Sequence, residues 1–228
     1  EGDRRHVLRL IRASKNRYGA TNEIGAFEMT DRGLQEVKDP SGLFLSDKPS
    51  GVPGTCAVCL VEGTRPLITE IQALTTQSVY PSPRRTSDGI DYNRMCILLA
   101  LLEKRLGLRF STLDTYVNVI GGIRPEEPAA DLPLALALIS SFKDIPFEDS
   151  LVAFGEVGLA GECRAVDMAL LRVREAVKLG FNRIVLPYKN YDEVKKAFDT
   201  GALPAGLTLI PVKSIFDALK VFTKSGGS

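Results

Sequence analysis

Residues 91–107, DYNRMCILLALLEKRLG, decide the fold class. Met95, Leu98, Leu99, Leu102 and Leu106 recur at helical spacing on one face, Lys104 and Arg105 fall in the last turn, and Gly107 supplies the stop. This amphipathic helix stands among strand-like stretches. Upstream, Thr55–Glu62 and Leu67–Thr76 read as paired strands around Glu62-Gly63-Thr64-Arg65-Pro66. Downstream come a strand (Thr115–Ile120), a loop (Gly121–Pro128), a helix (Leu132–Lys143) that Asp131 is placed to cap, and a short strand (Leu151–Phe154). Residues 168–179 form a further helix, with Asp167 as its cap and Gly180-Phe181 as its end. Strand Arg183–Leu186, helix Tyr191–Phe198, strand Leu207–Ile210 and helix Ser214–Phe222 complete the chain. Such alternation predicts α/β layering, and there is no internal repeat.

Before this region, residues 6–13 (HVLRLIRA) and 23–29 (EIGAFEM) are rich in β-formers and flank a polar turn, which predicts a hairpin. Residues 30–53 contain Gly33, Pro40, Gly42, Pro49, Gly51 and Pro53 without periodicity and read as a linker. The expected division is residues 1–48, residues 49–222, and a flexible tail at 223–228.

The composition is that of an ordinary soluble globular chain, 44% apolar over 228 residues. Twenty-nine basic residues against 28 acidic ones leave a net charge of +1, so any nucleic-acid contact must come from local clusters. No apolar run approaches the roughly 20 residues that cross a bilayer. The four cysteines are too few and too scattered for a disulfide framework, which fits a reducing compartment, the cytoplasm. In an extended strand Cys56 and Cys59 point to opposite faces, which makes them buried thiols and not a chelating pair.

Lys15-Asn16-Arg17-Tyr18-Gly19 places two cations two residues apart at the hairpin tip. As residues alone they are a solvated basic turn. The segment resembles the KNRFG motif of the RadA (Sms) family of bacterial DNA-repair proteins, with Tyr18 in place of Phe. Glu1-Gly2-Asp3, Thr21–Gly25 and Phe27-Glu28-Met29 also match that family at the end of its RecA-like ATPase core. The resemblance implies that Lys15 and Arg17 point at the γ-phosphate of ATP held by the adjacent subunit, where a positive finger stabilises the transferring phosphoryl group. A phosphate-cradling G-x-x-x-x-G-K-[ST] loop is absent from the 228 residues. The resemblance places that loop, with ATP and Mg, and a four-cysteine zinc finger upstream of Glu1, so this fragment alone is expected to bind none of them.

Residues 55–222 resemble the proteolytic domain of Lon, a ribosomal S5 domain 2-like arrangement of βαβ layers. The resemblance rests on Gly121-Gly122-Ile123-Arg124-Pro125 leading to Glu127-Pro128-Ala129-Ala130-Asp131, and on Gly155-Glu156-Val157-Gly158-Leu159-Ala160-Gly161. In Lon these correspond to the loop of the nucleophilic serine and to the segment before the catalytic lysine. Here Ala129 stands at the serine position and Leu170 at the lysine position. A Ser-Lys dyad needs a hydroxyl and an amine of lowered pKa, and alanine and leucine provide neither. Ser140, Ser141, His6 and Lys143 read as structural or surface groups.

Two basic clusters remain. Arg84-Arg85 lies in a proline-stiffened loop with Arg94 one turn inside the next helix, while Arg172, Arg174 and Lys178 mark a basic helical face. The family implies a ring-forming, ATP-driven motor of recombinational repair, a DnaB-like helicase acting on branched DNA with RecA. This chain would supply its oligomerisation scaffold, a homo-oligomer and by expectation a hexamer, with a trans-acting finger. The alternatives are an active Ser-Lys peptidase and a pure assembly module without DNA affinity.

Overall fold

A computed structural model describes residues 8–12, 24–37, 39–45, 49–198 and 203–223. Strands β1 (Leu8–Arg12), β2 (Ile24–Thr30) and β3 (Gly33–Glu36) form an antiparallel sheet in that order. The two expected strands pair, and a third extends them. The turn between β1 and β2, with Lys15 and Arg17, lies outside the described residues, as does His6.

Residues 30–53 are more than the linker their composition suggests. Besides β3 they hold a short helix, α1 (Pro40–Leu45), whose start is tied by the Gly42 N–H donating to the Asp39 carboxylate at 2.9 Å. The buried Ser41 hydroxyl accepts from the Ile68 N–H at 2.9 Å, and Phe44 is buried against Gly121. A Cβ at Gly121, where φ is +84°, would lie 2.1 Å from the Phe44 ring. Six residues are too few to show periodicity, so only tertiary contact reveals this helix.

The main domain runs through β4 (Thr55–Glu62), β5 (Arg65–Gln77), β6 (Arg85–Asp88), α2 (Tyr92–Leu106), β7 (Leu113–Val119), α3 (Asp131–Lys143) and β8 (Leu151–Ala153). It continues with β9 (Glu156–Val157), β10 (Cys163–Arg164), α4 (Ala169–Lys178), β11 (Arg183–Pro187), α5 (Tyr188–Ala197), β12 (Thr208–Val212), α6 (Ile215–Ala218) and α7 (Lys220–Thr223). Seven strands form one sheet in the order β12-β11-β8-β4-β5-β7-β6, and β9 pairs with β10 separately. The pairs β4–β5 and β5–β7 are antiparallel, and the other four are parallel. The fold is α/β.

Alternation along the strands builds a core on each face of the sheet. One gathers Cys56, Val58 and Ile71 with α2, α3 and α6, and the other gathers Cys59, Ile68 and Val152 with α4 and α5. Cys56 and Cys59 therefore fall on opposite faces, both buried. Helix α3 is buried at every position from Asp131 to Ser140, because it lies against β4 and β5 with α2 and α6 also packed on it.

Helix α2 ends at Gly107 with φ 70°, as the sequence predicts, and at its start the Asp91 carboxylate accepts from the Arg94 N–H at 2.8 Å. Four other expectations need correction. Asp131 is the first residue of α3 and turns its carboxylate elsewhere; α4 follows Met168, at φ 57°, with no side-chain cap from Asp167. The last helix is broken into α6 and α7, and Arg85 opens an edge strand where prolines suggest a loop.

Candidate functional site

The two segments that carry the peptidase resemblance are hydrogen-bonded to each other. Pro128–Ala130 form one turn of 3-10 helix ahead of α3, where the Gly155 N–H donates to the Ala129 carbonyl at 2.9 Å and the Leu132 N–H donates to the Gly155 carbonyl at 3.0 Å. Glycine is required at 155 because a Cβ there would lie 2.8 Å from Pro187 Cγ. Ala129 is fully buried and shares one apolar cluster with Ala169 and Leu170. Ala129 and Leu170 thus contribute packing.

Beside this turn a cleft of about 260 Å³ opens between the starts of α2 and α3. Ile90 and Leu134 give it apolar lining and Arg94, Glu126 and Asp131 polar lining; among the described residues neither serine nor lysine faces it. Ser140 and Ser141 are engaged away from it. The Ser140 hydroxyl accepts from the Gly54 N–H at 2.9 Å and donates to the Ile145 carbonyl at 2.6 Å, and the Ser141 hydroxyl accepts from the Thr75 N–H at 2.8 Å.

Two of the five arginines read as phosphate contacts turn inward. Arg172 is 1% exposed, so it does not belong to a basic surface of α4. Its guanidinium donates to both Glu127 carboxylate oxygens at 2.9 and 2.5 Å, to the Cys59 carbonyl at 2.7 Å and to the Asp167 carbonyl at 3.0 Å. Desolvating a guanidinium demands such a full set of acceptors. The Glu127 carboxylate also accepts from the Val61 N–H at 2.7 Å, which ties β4, the 121–128 loop and α4 together. Burial pushes the neighbouring Cys59 thiol up to about 12, with Arg172 opposing the shift.

Arg94 is likewise held by Asp131 through two guanidinium nitrogens, one at 2.7 Å, and also donates to the Val157 carbonyl at 2.8 Å. The Asp131 carboxylate accepts in addition from the Val157 N–H at 3.1 Å. The hydrogen bond to Asp131 raises the Arg94 pKa further. Arg94 therefore links α2, α3 and β9 and does not complete a cluster with Arg84 and Arg85.

Arg84, Arg85 and Arg174 keep access to solvent. Arg84 is exposed, its guanidinium 4.5 Å from the Tyr80 ring centre and its N–H donating to the Asp114 carboxylate at 2.7 Å. Arg85, the first residue of β6, is partly buried. Glu127 carries no signal in the sequence as an ion-pair partner, because 45 positions separate it from Arg172. Among the described residues no group of three or more His, Cys, Asp or Glu is placed to hold a metal ion, and no helix is long and apolar enough to cross a membrane.

The family model described as subunit ChlI of Mg-chelatase matches residues 70–190, just over half of the chain. A protein of Synechocystis is 47% identical over 221 residues, covering 97% of this chain and 42% of that protein. One of Escherichia coli is 46% identical over 222 residues, 97% of this chain and 46% of its own length. One of Bacillus subtilis is 44% identical over 227 residues, 100% of this chain and 48% of its own. All three carry the name DNA repair protein RadA, and the chain spans about half the length of these curated relatives. With this identity running from one end of the chain to the other, the chain belongs to the RadA family, and its residues 70–190 belong to the ChlI family.

Proposed function

We propose that this chain is the C-terminal part of an ATP-driven DNA-repair motor, and that its α/β domain is a Lon-like peptidase framework retained as a scaffold. The observation that carries the scaffold role is the burial of Ala129 in one apolar cluster with Leu170, beside a cleft lined by no serine or lysine. Fold alone never establishes activity. In this reading the domain assembles a homo-oligomeric ring, a hexamer, in which Lys15 and Arg17 of each subunit reach the nucleotide of the next. ATP and Mg belong to the ATPase core and zinc to the finger, both upstream of Glu1. The motor is a DnaB-like helicase that works with RecA on branched DNA in the cytoplasm, and Arg84, Arg85 and Arg174 are the contacts to phosphate.

Two measurements test this. In the full-length protein, Lys15→Ala or Arg17→Ala should lower ATP turnover with folding and assembly intact; equal turnover removes the trans-acting finger. Titrating labelled duplex at two salt concentrations should show steep weakening with salt and a loss in the Arg84→Ala/Arg85→Ala double variant. The internal pairing of Arg94 and Arg172 favours one rival, an assembly module without DNA affinity, which the same titration detects as no binding. Dose-dependent labelling of one serine by a covalent probe would instead revive a peptidase.

A further inference from the structure

The sequence YKNYDEVKKA of α5 interleaves aromatic and cationic residues. Its first turn stands where β11 ends, beside the end of β12, at the carboxyl edge of the three parallel strands β8, β11 and β12. In open α/β sheets this edge is where ligands are met. Tyr188 is 40% exposed, and Lys213, one residue beyond β12, holds its ammonium 4.3 Å from the Tyr188 ring centre. One turn on, the Tyr191 ring lies 6.4 Å from that of Tyr188 at 31°, and Lys195 holds its ammonium 5.7 Å from the Tyr191 ring centre. Lys189 and Lys196 are exposed on the same helix.

This surface is held firmly. The Asn190 amide, 2% exposed, donates to the Val166 carbonyl at 2.9 Å and accepts from the Val166 N–H at 3.0 Å, which clamps the first turn of α5 to the segment before α4. Val194 is fully buried and Tyr191, one turn before it, is partly buried against the same apolar cluster, so Tyr188 and the lysines stand outward and Tyr191 offers only part of its ring. Two tyrosine rings inclined by only 31°, with one lysine over each, suit planar groups joined by phosphates. Four exposed lysines (189, 195, 196 and 213) stand among exposed carboxylates, Asp192 and Glu193 on α5 and Glu162 and Asp167 on the segments bonded to Lys213 and Asn190, so the lysines offer individual phosphate contacts and not a broadly positive face.

We propose that Tyr188 and Tyr191 form a stacking platform for unpaired bases of single-stranded DNA, with Lys213, Lys195 and Lys189 on the adjoining phosphates. Every base has a π-face, so such a platform needs strand separation and no particular sequence. A duplex hides those faces and would engage the lysines alone. The inference deepens the DNA-binding reading above and rests on it, but assigns the contact to α5 and not to Arg84 and Arg85.

The test uses the 228-residue chain with a labelled oligothymidylate and a labelled duplex of equal length. Tyr188→Leu and Tyr191→Leu should each weaken oligothymidylate binding by about fivefold or more and leave duplex binding unchanged, and Tyr188→Leu, at the exposed ring, should also preserve the melting temperature. Lys213→Ala should flatten the salt dependence, and Asp192→Asn should tighten binding by removing a carboxylate beside Tyr188. The chain contains no tryptophan, so Tyr188→Trp gives a single reporter whose fluorescence should be quenched as the oligothymidylate stacks. Unchanged oligothymidylate affinity in the folded leucine variants overturns the platform and leaves the DNA-binding reading standing. Equal loss toward both oligonucleotides also overturns it, reducing the surface to a phosphate contact. Absence of any binding by the wild-type chain at low salt overturns both.

Discussion

Arg172 shows how one side chain is assigned by its partners. Removing its guanidinium leaves the Glu127 carboxylate and the Cys59 and Asp167 carbonyls without their donor inside the domain. Arg172→Ala should destabilise the fold by about 3–5 kcal/mol, read as a fall in melting temperature on the order of 10 °C. The double variant Arg172→Met/Glu127→Gln should be more stable than the two single effects summed, because no charge is then left unpaired. A strictly additive cycle would show that the pair is not coupled. Cys59, beneath this pair, makes a second test. Its thiol rises from 9.0 to about 12 in the folded chain, so the unfolded chain releases that proton first as pH climbs. The stability it contributes is full below about pH 9 and is lost on the way to about pH 12, which urea titrations across that range should show. Native Cys59 should also resist alkylation at pH 8 and react once the chain is unfolded.

Among elements, α1 and α3 carry the strongest expectations. Phe44→Ala removes the ring that fills the space over Gly121 and should cost about 3–5 kcal/mol, with faster proteolysis around residues 37–49. If that stretch is only a linker, neither quantity should move. Ser140 sits at the end of the buried run of α3 and satisfies both the Gly54 N–H and the Ile145 carbonyl. Ser140→Ala should therefore cost about 1–3 kcal/mol, measured by chemical denaturation, although the residue lies far from any reactive cleft. Helix α2 was readable to within a residue because its apolar stripe, basic last turn and terminal glycine are all local. Strand β6 was not, since four residues, Arg-Thr-Ser-Asp, take strand form only by pairing with β7.

For the molecule as a whole, the seven-stranded sheet brings Ala129 and Leu170 into one cluster and sets the first turn of α5 at the carboxyl edge of its parallel strands. A scaffold of this kind should assemble. The particle mass of the 228-residue chain, measured across a concentration series, should exceed 24.8 kDa and approach six copies; a chain that stays at that mass throughout removes the ring. The α/β class, the pairing of β4 with β5, and the opposite burial of Cys56 and Cys59 were all legible in the order of residues. They depend on periodicity and on turn chemistry, and each is complete within a few positions of chain. Tertiary structure decided which arginines face water, that Asp131 holds Arg94 and does not cap its own helix, and that residues 40–45 pack as a helix. Each of these depends on a partner tens of residues away in sequence, and the desolvation of a charge or the filling of a space is settled only when that partner arrives.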